Sequence, residues 1–295
     1  MQRLESALAE AAESVNHTLD RLVPTVKGAE RRVVEAMRYA LMNGGKRIRP
    51  FLVVNSARLF DVPEAGTLRA AAAIEMVHSY SLVHDDLPAM DNADLRRGRP
   101  SVHRQFDEAT AILAGDGLLT YAFEVVADPE THADPLVRAE LALALARAAG
   151  AAGMVGGQMI DLEAEHAKLD LPAITRLQRM KTGAIIGFSC AAGGILASAP
   201  QPARRALQLY AEDLGLAFQI ADDLLDVESS EAVTGKPVGQ DQAAGKATFV
   251  AVLGVEEARR QAKAIADRAA SHLDLFGNRA DLLRDMAHFV VNRRS

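Results

Sequence analysis

The stretch GTLRAAAAIEMVHSYSLVHDDLPAMD, residues 66–91, decides the fold. It opens as a strongly apolar helix, predicted over about 66–86 and ending as Pro88 approaches. The helix runs directly into an acidic cluster, Asp85-Asp86-Leu87-Pro88-Ala89-Met90-Asp91. A second cluster, Asp222-Asp223-Leu224-Leu225-Asp226, ends another apolar helix in the same way. Both placements are electrostatically poor, because a helix C-terminus carries partial negative charge. Asp222 and Asp226 share one helix face and repel, and Asp85 and Asp86 crowd each other. A single acidic run is usually a solvated surface. Two of them, each followed by a loop rich in Lys, Arg and Gly, require a positive partner. Carboxylate oxygens suit hard divalent cations, and Mg²⁺ takes one or two of them while leaving positions for water and substrate phosphate. The pattern fits a Mg²⁺–diphosphate site better than an all-protein Ca²⁺ cage, and no EF-hand spacing is present.

Outward from these clusters, helical periodicity dominates the chain. Residues 1–23 place Leu4, Leu8, Ala11, Val15 and Leu19 at helical steps. A helix over 28–43 stops at Gly44-Gly45, and Pro50 sits in the first turn of the next. Further helices are predicted over 107–126, 135–151, 154–168, 172–197, 202–228, 247–274 and 280–293. Residues 92–104 and 229–246 read as long polar loops, one after each acidic cluster; such loops inside compact domains are often functional. No run alternates long enough for a strand, and no repeat has solenoid spacing. The expectation is therefore an all-α, single-domain helical bundle over residues 1–295.

The 295 residues are 49% hydrophobic and 24% charged, which excludes general disorder. A chain of this size buries roughly 75% of its unfolded surface and needs no disulfide to fold. Aromatic residues are 4% and Trp is absent, so Ala, Leu and Val build the core and favour helices. Lys+Arg is 33 against Asp+Glu 39, a net charge of −6, which argues against nucleic acid as a partner. The one cysteine, Cys190, sits in an apolar run and reads as a buried small hydrophobe; a Cys-based zinc site is not expected. The N-terminus lacks a signal-peptide core, and no stretch of about 18 uncharged apolar residues exists. A cytoplasmic protein without membrane insertion is expected.

The basic residues supply what the carboxylates lack. Lys46, Arg47 and Arg49 follow Gly44-Gly45, and Arg96-Arg97-Gly98-Arg99 follows the first cluster. Lys236 and Lys246 each follow a glycine around the second polar loop, and Lys181-Thr182 precedes an apolar run. Lys and Arg are phosphate partners, Arg with bidentate geometry. His78 lies seven residues before Asp85, two turns down the same helix face.

On these residues the sequence resembles the trans-prenyl diphosphate synthases. The family's two Asp-rich motifs match Asp85-Asp86-Leu87-Pro88-Ala89-Met90-Asp91, continuing to Leu95-Arg96-Arg97-Gly98, and Gln219-Ile220-Ala221-Asp222-Asp223-Leu224-Leu225-Asp226. Gly44 to Pro50, Gly157-Gln158 with Asp161-Leu162, Lys181-Thr182-Gly183, and Gly235-Lys236 with Asp241, Gly245 and Lys246 also match, in family order over about residues 40–290. The nearest likeness is to short-chain bacterial farnesyl diphosphate synthases, which share the four residues between the outer aspartates of the first motif. Asn92-Ala93 departs from the further aspartates of many relatives.

The resemblance implies an all-α bundle around a deep central cavity. Three Mg²⁺ would join an allylic diphosphate to Asp85, Asp91 and Asp222 as direct ligands, with Asp86, Asp223 and Asp226 acting mainly through water. It implies that Lys46, Arg49, His78 and Arg97 hold isopentenyl diphosphate. Arg96, Lys181, Lys236 and Lys246 would grip the allylic diphosphate, and Thr182 and Gln219 would face the reacting carbons. The catalytic set is then Arg96, Lys181, Thr182 and Gln219. The tail Asn292-Arg293-Arg294-Ser295 would close over the site, and a homodimer is usual. Tyr80 and Ser81 lie roughly 6–8 Å below the metal site at about 1.5 Å per residue, where bulk stops chain growth in relatives. A C15 product, farnesyl diphosphate, is expected, with a C20 geranylgeranyl product as the alternative. A catalytically silent partner subunit would be expected to lose aspartates. A terpene cyclase would not need the second diphosphate pocket, and its second motif usually mixes Asn, Ser or Thr with Glu.

Overall fold

The computed structural model describes residues 2–164, 169–228 and 248–292. The helix predicted over 66–86 is α4, Glu64–Asp85. It is an interior helix rather than an amphipathic one: Ala70 through Val77 are buried without interruption. A helix apolar all round belongs inside a bundle, and its alanines let neighbours approach closely. The elements before it are α1 (Gln2–Leu22), α2 (Arg31–Leu41) and α3 (Ile48–Arg58). After it come β1 (Leu95–Arg96), β2 (Arg99–Pro100), α5 (Val102–Gln105) and α6 (Glu108–Ala127). Next are α7 (Pro135–Ala149), α8 (Met154–Ala164), α9 (Leu171–Gln178), α10 (Ala184–Leu196) and α11 (Gln201–Glu228). Last are α12 (Phe249–Leu253), α13 (Val255–Ser271) and α14 (Asp281–Asn292).

Helix α4 packs against α6, α3, α1 and α10, and α10 continues the interior against α3, α7 and α11. One apolar cluster joins α4, α6, α7 and α10; a second joins α3 and α11 to α13 and α14. The all-α expectation holds, and the described strands are only the two-residue pair β1 and β2.

Three predicted segments differ in detail. Residues 92–104 are not all loop: β1 and β2 form an antiparallel hairpin whose turn residues Arg97 and Gly98 have φ of 54° and 75°. That is the turn handedness a two-residue hairpin favours, and strands of two residues are too short to alternate visibly. The helix predicted over 172–197 is interrupted by a π turn at Arg179–Gly183. The helix predicted over 247–274 breaks at Gly254, whose φ of 78° no α-helix accommodates. The loop 229–246, and with it Lys236, Asp241 and Lys246, lies outside the described residues, as do Arg293 to Ser295 and the end of the helix predicted over 154–168.

By length and composition, α6 and the segment 135–164 are apolar enough to cross a bilayer. In this fold α6 lays one face on α4 and leaves Leu113 exposed, while α7 exposes Leu136 and Leu143.

Candidate active site

The C-terminus of α4 opens onto a cavity of about 590 Å³. Arg49 and His78 come from α3 and α4, Asp85 from the end of α4, and Lys181 and Thr182 from the π turn. Ile112 of α6, Met154, Gln158, Met159 and Leu162 of α8, and Ile185 of α10 form its walls. Tyr80 and Ser81 line it one turn below Asp85. The lining combines these polar groups with mostly apolar walls.

The first acidic cluster is shaped by its own backbone. Asp91 N–H donates to the Asp85 carbonyl at 2.9 Å, and Ala93 N–H to that of Asp86 at 3.1 Å, so the loop folds back on the helix end. The two adjacent aspartates then diverge. Asp86 is buried and accepts two bonds from Arg96 Nε, at 3.1 and 3.3 Å, and a further one from Nη2. Asp85 faces the cavity. Burial pushes its carboxyl up from 3.8 to about 6; Lys181 opposes the rise, and the nearby charges of Asp91 and Asp86 add to it.

Lys181 cannot give Asp85 its whole charge, because its Nζ lies 2.6 Å from Asp161 Oδ2 on α8. The π turn presents Lys181 and Thr182 to the cavity, and α8 fits against it only because Gly157 has no side chain. A Cβ there would stand 2.2 Å from Lys181 N. Insertions of this kind recur at functional sites. Thr182 Oγ1 donates to Gln219 Oε1 at 3.4 Å, and Gln219 Nε2 donates to Asp223 at 3.0 Å. Asp223 is buried and also accepts the Phe249 N–H at 2.7 Å. The middle aspartate of the second cluster therefore anchors the start of α12, while Asp222 and Asp226 keep part of their surface in water.

Two turns before Asp85 on α4, His78 Nε2 lies 3.3 Å from Arg49 Nη1. Burial holds the His78 imidazole well below its usual pKa, and the charges of Arg49, Arg97, Arg47 and Arg96 push the same way. His78 is thus a neutral ring accepting from Arg49. Burial also lowers Arg97, assisted by Arg47 and Arg96 and opposed by Glu75. Cations gathered this closely favour an anion between them.

Of the residues singled out in the sequence, Arg49, His78, Tyr80, Ser81, Asp85, Lys181 and Thr182 meet in the cavity. Lys46, Asp91, Gln219 and Asp222 lie outside its lining, and Arg96 and Arg97 border a separate small recess with Asp86. The motif that holds Asp161 and Gln158 suggests no role for either from sequence; in the fold Asp161 pairs with Lys181, and Gln158 Nε2 is buried without a protein partner. The signal for them is their spacing of three, which puts Gln158 and Asp161 on neighbouring turns of one face of α8.

A divalent cation fits this site, because Asp85 is a carboxylate with too little positive charge around it. Among the described residues no group of three Asp, Glu, His or Cys side chains converges on a point. Mg²⁺ does not require one, since it draws other ligands from water and phosphate.

Comparison with known proteins gives the same direction. The polyprenyl synthetase family model matches residues 30–276. The chain is 45% identical over 271 residues to a farnesyl diphosphate synthase of Geobacillus stearothermophilus, covering 92% of this chain and 91% of the relative. It is 43% identical over 300 residues to the farnesyl diphosphate synthase of Escherichia coli strain K12, covering 99% and 98%. The apo crystal structure of an FPP/GFPP synthase from Zymomonas mobilis superposes with a TM-score of 0.89 at 48% identity, covering 98% of this chain and 99% of that one. With the model spanning most of the sequence and the fold matched end to end, the chain belongs to the polyprenyl synthetase family.

Proposed function

We propose that this prenyltransferase condenses isopentenyl diphosphate with dimethylallyl or geranyl diphosphate, head to tail, to give (2E,6E)-farnesyl diphosphate. The observation that carries the reading is one cavity whose lining joins the charged Asp85, Lys181 and Arg49 and the neutral His78 to apolar walls and Tyr80. A diphosphate belongs at the charged groups and a prenyl chain against the apolar walls.

Asp85, Asp91 and Asp222 would hold Mg²⁺, three ions with the allylic diphosphate in place, and the metal would neutralise charge on the leaving group. Lys181, held by Asp161, would stabilise the charge that develops on that leaving group. The allylic C–O bond breaks with its electron pair going to the diphosphate oxygen. The Thr182 hydroxyl and the Gln219 amide are pre-set by their bond to each other and by Asp223, so their dipoles need no rearrangement as the carbocation forms. Arg49, Arg97, Lys46 and neutral His78 hold the second diphosphate, and Arg96, Lys236 and Lys246 complete the grip on the first. The isopentenyl double bond attacks C1 of the cation. The proton then lost goes to the departing diphosphate, because the nearest carboxylates are committed to cations. The apolar walls exclude water, which would quench the cation to an alcohol.

Residues 1–295 form one catalytic domain in this reading, in a cytoplasmic homodimer without membrane insertion or nucleic acid. The exposed Leu113, Leu136 and Leu143 provide apolar surface for the second copy; light scattering is expected to give twice the chain mass.

Incubation with Mg²⁺, labelled isopentenyl diphosphate and the C5 or C10 allylic diphosphate, followed by chromatography of the dephosphorylated products, is expected to give mainly C15 alcohol. A dominant C20 product would keep the chemistry and overturn the chain length; no extension would overturn the reaction. Tyr80→Ala is expected to shift the main product to C20 or longer, because each further buried CH₂ favours binding by about 0.8 kcal/mol once the steric stop is gone. Gly157→Ala is expected to lower kcat about 10²-fold with little change in KM for isopentenyl diphosphate, since the added Cβ displaces the Lys181 backbone. Steady-state kinetics on the folded variant checks it.

A further inference from the structure

Tyr80 does not hold its place unaided. One turn on, His84 lies edge-to-face against it, with ring centroids 5.4 Å apart and planes at 89°. The imidazole is itself fixed on the far side: His84 Nε2 donates to the Ile112 carbonyl on α6 at 3.1 Å, and Asp116 stands 3.9 Å away. This contact exists because α6 carries a glycine at the crossing. A Cβ on Gly115 would stand 2.1 Å from His84 Nε2. Tyr80, His84 and Ile112 all line the cavity, so the imidazole is itself part of the wall and ties the other two together.

We propose that His84 is a positioning residue for product length, clamping the Tyr80 ring in the cavity through the space that Gly115 leaves on α6. The proposal rests on the prenyl-chain reading of the cavity. An aromatic ring blocks a growing chain only if it cannot turn aside. Tyr80 has free torsions at its Cα–Cβ and Cβ–Cγ bonds, and the neighbouring imidazole occupies the volume into which the ring would swing. His84 in turn cannot retreat toward α6, since the backbone at Ile112 and Gly115 lies against it.

The test compares His84→Ala, Gly115→Ala, Tyr80→Ala and the double variant Tyr80→Ala/His84→Ala by product chromatography, with thermal melts confirming folding. His84→Ala is expected to raise the ratio of longer products to the wild-type product about ten-fold or more. Its KM for isopentenyl diphosphate should stay within about two-fold of wild type, since Arg49 and His78 keep their contact with each other. The double variant should give the same distribution as Tyr80→Ala alone, because His84 acts through the ring. Gly115→Ala, which drives the imidazole toward Tyr80, should shorten the mean product. An unchanged ratio in folded His84→Ala, or a double variant that lengthens products beyond Tyr80→Ala, overturns the clamp. A second readout needs no turnover. The chain has four tyrosines, so 3-fluorotyrosine labelling with Tyr80→Phe assigns the Tyr80 resonance. That resonance should shift and become motionally averaged in His84→Ala. If it does not, the clamp fails even where the enzyme extends chains; if it does while no chain is extended, the clamp stands and the condensation reading fails.

Discussion

Asp85→Asn is expected to raise the melting temperature of the metal-free protein by a few degrees at pH 7.5 while lowering condensation on the order of 10³-fold. The folded carboxyl titrates at about 6 against 3.8 in its ordinary state. Below pH 4 it is protonated in both folded and unfolded chains and contributes nothing. Between about pH 4 and 6 the unfolded chain has released the proton and the folded chain still binds it, so stability falls as pH rises. Above pH 6 the full penalty is present, about 1–3 kcal/mol after allowance for the group's partial contact with water. Asn carries no such penalty. Melts at pH 4.5 and pH 7.5 check the sign: the advantage of the variant should shrink at the lower pH. Adding Mg²⁺ with diphosphate should stabilise the wild type and not the variant, by mass action on the folded state. A variant that melts below wild type without metal at pH 7.5 would remove Asp85 as an electrostatically strained position. The same misfit that makes the carboxylate unstable alone makes it a cation ligand, a common exchange of stability for activity.

Arg47→Ala or Glu75→Ala, each alone, is expected to cost about 3–5 kcal/mol of stability, read as a lower urea midpoint. The two side chains form an ion pair with exposures of 1% and 2%. Arg47 Nη2 also donates to the Leu41 carbonyl at 2.6 Å and Nε to Asn16 at 2.9 Å. One guanidinium thus joins α1, the end of α2, the start of α3 and the middle of α4, from a backbone position at φ 49°. Removing either partner leaves the other charge buried and alone. Replacing both, as Arg47→Met with Glu75→Leu, removes the pair together with its desolvation penalty and should recover much of the loss. A double variant as unstable as the singles would mean that the bonds to Leu41 and Asn16, rather than the ion pair, carry the effect.

The helices were legible because their periodicity is local, and the two acidic clusters because carboxylates at the ends of apolar helices are conspicuous against their surroundings. The hairpin at 95–100 and the π turn at Lys181 were not. The first is too short to leave a pattern, and the second is an insertion that only the packing of Gly157 against Lys181 requires. The motif around residue 46 gives Lys46 and Arg49 a diphosphate role and offers nothing for Arg47. In the fold Arg47 turns inward to Glu75 and Arg49 lines the cavity, because successive residues entering a helix point in different directions.

The sequence by itself determined the all-α class, the apolar interior helix that ends in Asp85, and the family to which the motifs belong. These follow from residue type and spacing along one chain. Tertiary structure decided which charges are spent on one another. Arg96 answers Asp86, Lys181 answers Asp161 and Arg47 answers Glu75, leaving Asp85 the carboxylate that faces the cavity with least compensation. Such pairings join residues on different elements, and their strength depends on burial. Neither the distance nor the dielectric around a charge is written in its neighbours along the chain.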